Sequence, residues 1–199
     1  MCQYACRAGK AFPDRFNFVS DRDYADYIYL RSDLSTLKGK KFQPKRNHLN
    51  KFRNNYPNYT YKPLTSDLIP ACLELETQWC RANNCAENQA LENERCSMTA
   101  ALQHLEQLDV IGGVLYVEDE IVPLLLGHPL TKRLRYLCGK ANTAVEGAYA
   151  MINYEFANHI PSQYIYINRE EDLGLEGLRK AKLSYQPEVI LEKYMAELK

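Results

Sequence analysis

The stretch from Asn168 to Lys182, NREEDLGLEGLRKAK, gathers more reactive chemistry than any other part of the chain. An apolar run, YIYIN, leads into four consecutive charged residues, Arg169, Glu170, Glu171 and Asp172. Gly174 and Gly177 follow, then Arg179, Lys180 and Lys182. Carboxylates at a strand end, here Glu170, Glu171 and Asp172, can act as a general base or hold an ammonium group, and Glu170 and Glu171 are taken as the candidate catalytic residues. Gly174 and Gly177 let a ligand approach the N–H groups of a helix start. Arg169, Arg179 and Lys180 would supply charge to an anion. The same residues also make an ordinary strand–helix junction: Asp172 caps the helix, glycine shapes the turn and Arg169 pairs with a neighbouring acid. Residue chemistry alone favours the ordinary junction.

A second constellation is basic. No acidic residue occurs between Asp33 and Asp67, a span that holds Lys38, Lys40, Lys41, Lys45, Arg46, Lys51, Arg53 and Lys62. Phe42, Phe52, Tyr56, Tyr59 and Tyr61 are interleaved with them. Pro44 suits the first turn of a helix, Leu49, Phe52 and Tyr56 recur on one face of it, and Pro57 stops it. Arg46, Asn50 and Arg53 lie away from that face. With His48, such a surface can hold phosphates, of RNA or of a lipid headgroup. Equally, it can be a solvated face paired with acids elsewhere, since the formal net charge is +0. Gly147, in NTAVEGAYA, would admit a phosphate at a helix start, but Glu146 beside it repels anions. His48, His104, His128 and His159 are scattered, so neither a catalytic triad nor a metal motif can be argued.

The elements that must position these residues follow from periodicity. Tyr27–Leu30 reads as a strand, YTYKPLT as a short strand, and Ser66 as the N-cap of a helix with Leu68, Cys72, Leu75 and Trp79 in its stripe. A further helix carries Met98, Ala101, Leu102, Leu105 and Leu108. VIGGVLYV and IVPLLLG flank the turn EDE as a hairpin. A helix over Thr143–His159, the strand YIYIN, a helix from Leu173 to near Tyr185 and a last strand in EVILEKYM complete the pattern. The expected fold is a mixed α/β domain of the α+β kind, with a central, mostly antiparallel sheet flanked by helices. The seven cysteines include no C-x-x-C pair, so reduced thiols in a cytoplasmic protein are expected and zinc is not. No apolar run approaches the ~20 residues of a membrane span.

LKGKKFQPKRNHLNKF, EGAYAMINYEFA and YINREEDLGLEGLRKAKLSYQP resemble the uncharacterised bacterial proteins related to the C-terminal domain of phosphatidylglycerol lysyltransferases. The resemblance runs from about Phe16 to the end. It implies a GNAT-like acyltransferase fold and a transferase that moves an acyl or aminoacyl group from aminoacyl-tRNA or a coenzyme A thioester to an acceptor such as a lipid headgroup. Lys45, Arg46, His48, Lys51 and Arg53 would then meet donor or acceptor phosphates, and the basic block Lys38–Arg53 would face tRNA or an anionic membrane surface at the inner face. Asn168–Asp172 and Gly174–Gly177 would line the transfer site, with Arg179 and Lys180 as anion contacts. Gly147 matches the family's phosphate loop, but Ala144 stands where an Arg or Gln is expected. That departure argues against ordinary acetyl-coenzyme A use. Residues 1–33 would be an extension left from a missing N-terminal unit, and 34–199 the domain itself. HPLTKRLRYLCGK departs from the family's alternation, and a compensated reading-frame slip over roughly Leu130 to Gly139 would explain it. A non-catalytic binding module or an inactive remnant is the alternative.

Overall fold

A computed structural model of the chain describes residues 15–142 and 144–199, the side chains of residues 90, 137 and 138 excepted. In chain order the elements are β1 (Phe16–Ser20), β2 (Asp26–Leu30), α1 (Arg31–Thr36), α2 (Gln43–Asn55), β3 (Thr60–Pro63), α3 (Ile69–Ala82), α4 (Gln89–Gln103), β4 (Ile111–Val117), β5 (Glu120–Leu130), β6 (Arg133–Ala141), α5 (Ala148–His159), β7 (Tyr166–Asn168), α6 (Glu176–Leu183), β8 (Val189–Leu191) and β9 (Tyr194–Leu198). The pairs β1–β9, β2–β8, β3–β4, β4–β5 and β5–β6 are antiparallel, as the sequence leads one to expect. The chain divides into two compact units: the described residues up to Leu30 with Asn168–Lys199, and Arg31–Ile167.

In the larger unit the strands run in the order β3-β4-β5-β6, with β7 beside β6. The β4–β5 turn places Glu118 and Asp119 at φ 51° and 66°, the left-handed pair that matches the twist of a tight hairpin. Leu64, Cys72, Leu75, Met98, Leu102, Val114, Leu124 and Leu126 form one buried cluster under α3 and α4. Ser66 does not cap a helix: Ser66–Leu68 make a 3-10 turn, and α3 begins at Ile69 with Pro70 in its first turn. The segment expected to break alternation does not. Leu134 and Tyr136 are buried, while Arg133 and Arg135 are exposed. Basic residues at every second position are simply the polar side of a pleat, so the strand forms with the residues as they stand. α5 starts at Ala148, because Gly147 ends the preceding turn at φ 85°. The proposed start at Thr143 lies outside the described residues.

The smaller unit joins the two ends of the chain. β1 pairs with β9 from Phe16↔Leu198 to Ser20↔Tyr194, and β2 with β8 from Asp26↔Leu191 to Ile28↔Val189. The single terminal strand expected in EVILEKYM is therefore two. The break falls where Lys193 turns to pair with Asp26 and Glu171. Of the expected extension 1–33, residues 1–14 lie outside the described ones. β2 is buried from Asp26 to Ile28 and Tyr29, covered on both faces.

Candidate functional site

In the smaller unit the charged motif closes around Asp172, which is fully buried at 0% exposure. Its Oδ1 accepts from Arg179 Nη2 at 2.7 Å and from the Gly174 N–H at 3.0 Å. Its Oδ2 accepts from Arg179 Nε at 2.9 Å, from the Tyr27 hydroxyl and from Arg22 Nη1 at 3.4 Å. The two-pronged Arg179 contact is the strong form of a carboxylate–guanidinium bond. Arg179 holds the Asp172 carboxyl far below the usual carboxylate range, against the opposing effect of burial and with help from Tyr27 and Gly174. Arg179 Nη2 also donates to Asp23 Oδ1 at 2.6 Å. Asp172 is thus not the helix cap that its position suggests. α6 has Leu175 at its N-cap, with no side-chain cap bond. The helix cannot start at Leu173, because Leu173 and Gly174 are left-handed, at φ 52° and 74°.

That geometry explains Gly174. A Cβ there would lie 2.6 Å from Asp23 Oδ2, and φ is in the region that favours glycine. Gly174→Ala is expected to lower stability by about 1–3 kcal/mol. Urea unfolding of the variant against the parent chain checks it, and an unchanged midpoint would contradict the packing described. Nothing lies within 4 Å of a Cβ at Gly177, so the fold makes no demand for glycine there.

Glu170 and Glu171 are half-buried and lie on the loop that leads into this node. Glu171 Oε2 pairs with Lys193 at 2.8 Å. Glu170 takes φ 55°; its N–H donates to Asn168 Oδ1 at 2.8 Å and its carbonyl accepts from the Tyr27 N–H at 3.1 Å. Arg169 stacks its guanidinium over Tyr185 and Tyr29, 4.9 and 5.6 Å from the ring centroids. Lys180 lies exposed on α6. The structure therefore brings Arg169, Glu170, Glu171, Gly174, Gly177, Arg179 and Lys180 into one unit, but Arg179 and Glu171 are engaged in ion pairs.

The other candidates belong to the larger unit. α2 buries Leu49 and Phe52 and carries Lys45, Arg46, His48, Lys51 and Arg53. Arg46 does not project as a free cation: its Nη1 donates to the Gly39 carbonyl at 2.8 Å and to that of Leu37, tying α2 to the turn before it. Arg53 lies over the Tyr154 ring at 5.2 Å, and Lys51 pairs with Glu146 at 2.7 Å. His48 is exposed and Lys45 half-buried. Gly147 is needed for packing as well as for its φ. A Cβ there would stand 3.2 Å from the His48 carbonyl and 3.2 Å from Phe52 Cβ, where α2 crosses the start of α5.

Two groupings escaped the sequence reading. Lys140, 1% exposed, places Nζ 2.8 Å from Glu94 Oε2 and 3.6 Å from the centroid of the Trp79 ring. Burial raises the nearby Glu76 carboxyl, with Arg95 and Lys140 opposing. The signal was a lone lysine in an otherwise apolar strand end and the single Trp, in segments with no visible link. In the second grouping, Tyr59 donates to Glu155 Oε1 at 2.8 Å, and the His159 ring stacks on Tyr61 at 4.1 Å. His159 follows Glu155 by one helical turn, a spacing that could have been noticed.

The expectation of reduced thiols is corrected at Cys80 and Cys85, which form a disulfide. Asn84, at φ 51°, folds the chain back after α3 and brings the two Cα atoms to 5.0 Å. Cys2 and Cys6 lie outside the described residues. Among the described residues no group of three His, Cys, Asp or Glu is placed to hold a metal ion, and no helix is long and apolar enough to cross a membrane.

Comparison with known proteins bears on this geometry. The family model described as phosphatidylglycerol lysyltransferase, C-terminal, matches residues 3–197. A crystal structure of a conserved protein of unknown function from Bacteroides thetaiotaomicron VPI-5482 is 58% identical, with a TM-score of 0.96 over 99% of this chain and 67% of that chain. The structure of L-PGS from Bacillus licheniformis, 15% identical, gives a TM-score of 0.63 over 96% of this chain and 64% of that one, which is a likeness of fold. An uncharacterized protein of Mycoplasmoides gallisepticum is 24% identical over 174 residues, 87% of this chain and 56% of its own length. The chain thus spans little more than half the length of that relative. The fold is of the α+β class, a mostly antiparallel sheet flanked by helices, as expected. With nearly every residue matched, the chain belongs to the phosphatidylglycerol lysyltransferase C-terminal family.

Proposed function

We propose that the chain is a transferase domain that moves an acyl or aminoacyl group from a phosphate-bearing donor, aminoacyl-tRNA or an acyl-coenzyme A, to an acceptor such as a lipid headgroup. The family match across residues 3–197 carries this reading. Lys45, His48 and Lys51 on α2 would meet phosphates, and Glu170 or Glu171 would take the acceptor's proton as attack begins. Such a protein would work at the inner membrane face from the cytoplasmic side.

The test is donor binding. Purified chain is titrated into lysyl-tRNA, uncharged tRNA and coenzyme A, with salt varied. The expected result is retention of one donor at roughly micromolar protein that weakens steeply with salt. Retention of none would remove the donor half of the proposal.

One observation favours a second reading, a non-catalytic binding module. Asp172, Arg179 and Glu171 are all engaged with partners inside their own unit, which is what a purely structural motif requires. Substitution of Glu170 and Glu171 decides between the two.

A further inference from the structure

Three consecutive carbonyl groups of the loop point at one atom. Lys182 Nζ lies 2.5 Å from the Arg169 oxygen, 3.3 Å from that of Glu170 and 2.5 Å from that of Glu171. The residue is 6% exposed, so the ammonium has left water and its donors are directed to the backbone. Converging carbonyls repel one another unless a cation sits among them. The loop that they belong to is also strained, with Glu170 at φ 55° and Leu173 at φ 52°, conformations that bulky residues rarely keep unless their surroundings impose them.

We propose that Lys182 is a built-in cation that latches the Asn168–Asp172 loop, holding the carbonyls inward so that the Glu170 and Glu171 carboxylates keep their position. This rests on the transferase reading only for its purpose; the latch itself is a property of the fold. Lys182 is a positioning residue, since it reaches the loop's backbone. It comes from α6, and its own carbonyl accepts from the Tyr29 hydroxyl at 2.9 Å, which fixes the helix against β2. The groups that face it are the Tyr27 ring of β2, 5.7 Å from Nζ, and Arg169, Glu170, Glu171 and Asp172 of the loop. Burial and then Arg169 lower the Lys182 amine to about 8, while Glu171, Glu170 and Asp172 oppose that shift. At neutral pH the amine keeps its proton, and because its closed-state value lies below the ordinary lysine range, proton loss at higher pH does not favour opening of the loop.

Backbone hydrogen exchange at about pH 7 reads this directly. In Lys182→Met the amides of residues 169–173 should lose at least tenfold of the protection they have in the parent chain, while the β4–β5 hairpin keeps its own. Lys182→Ala should regain protection when methylammonium is added, because a small cation can re-enter the cage. Protection in Lys182→Met that matches the parent chain overturns the proposal, and so does a loss spread evenly over all elements. If Lys182→Ala does not fold, Lys182→Met against the parent chain decides alone. Exchange needs no donor or acceptor, so a failed latch and a failed transferase reading are told apart.

Discussion

Asp172→Asn is expected to destabilise the chain by about 3 kcal/mol, the lower end of what removing one partner of a buried ion pair costs. The lower end applies because the Arg179 side chain keeps 32% exposure and regains some solvation when its partner is neutralised. Asparagine keeps the shape but turns a group that accepts everywhere into one with an N–H₂ facing donors. It would meet Arg179, Arg22 and Tyr27, all of which now donate to the carboxylate. The same node sets an acid dependence. The folded carboxyl lies below its ordinary value, so its contribution is complete above the ordinary carboxylate pKa and is lost as pH falls below it. Urea unfolding at pH 7 and near pH 3 should therefore show a smaller acid loss for Asp172→Asn than for the parent chain. Equal midpoints at pH 7 would mean that the node does not hold the unit together. An alkaline check is independent. Lys182 has a folded value depressed to about 8, so the folded chain sheds that proton before the unfolded chain does. Stability gained through this group rises with pH above about 8, up to the ordinary lysine range.

Much of this arrangement could be read from the residues, and the exceptions have physical causes. The hairpin EDE, the α2 face of Leu49 and Phe52, and the strand at Tyr27 follow local periodicity, which sequence carries directly. The Asp172 node does not. Tyr27 and Asp172 are 145 positions apart, and only the pairing of the chain's two ends brings them together. Asp172 has the residue type and position of a cap, so local rules assigned it that role before any distant arginine could compete. Gly147 shows the same limit. A glycine at a helix start fits a phosphate loop and fits a close helix crossing, and only the His48 carbonyl beside it favours the crossing. The Lys140–Glu94–Trp79 contact joins β6, α4 and α3, with no local pattern to announce it.

Glu170→Gln is expected to lower transfer by a factor of roughly 10²–10⁴ if the transferase reading holds, the usual loss when a general base is removed. Glu171→Gln should cost less. Its carboxylate already pairs with Lys193, whose side chain is 43% exposed, and a partly exposed pair contributes only about 0–1 kcal/mol to stability. Glu170 differs in its backbone, which is held left-handed by Asn168 and Tyr27 on either side of the peptide. Strain imposed by the surroundings aims a side chain in one direction, which a general base requires and a surface brace does not. The measurement is single-turnover transfer beside donor affinity. A base variant should lose rate while keeping donor binding, since glutamine preserves the volume and removes the proton acceptor. If Glu171→Gln shows the greater loss, the Lys193 pair opens in the donor complex and the roles of the two acids exchange. If both variants transfer at the parent rate, the loop is a brace.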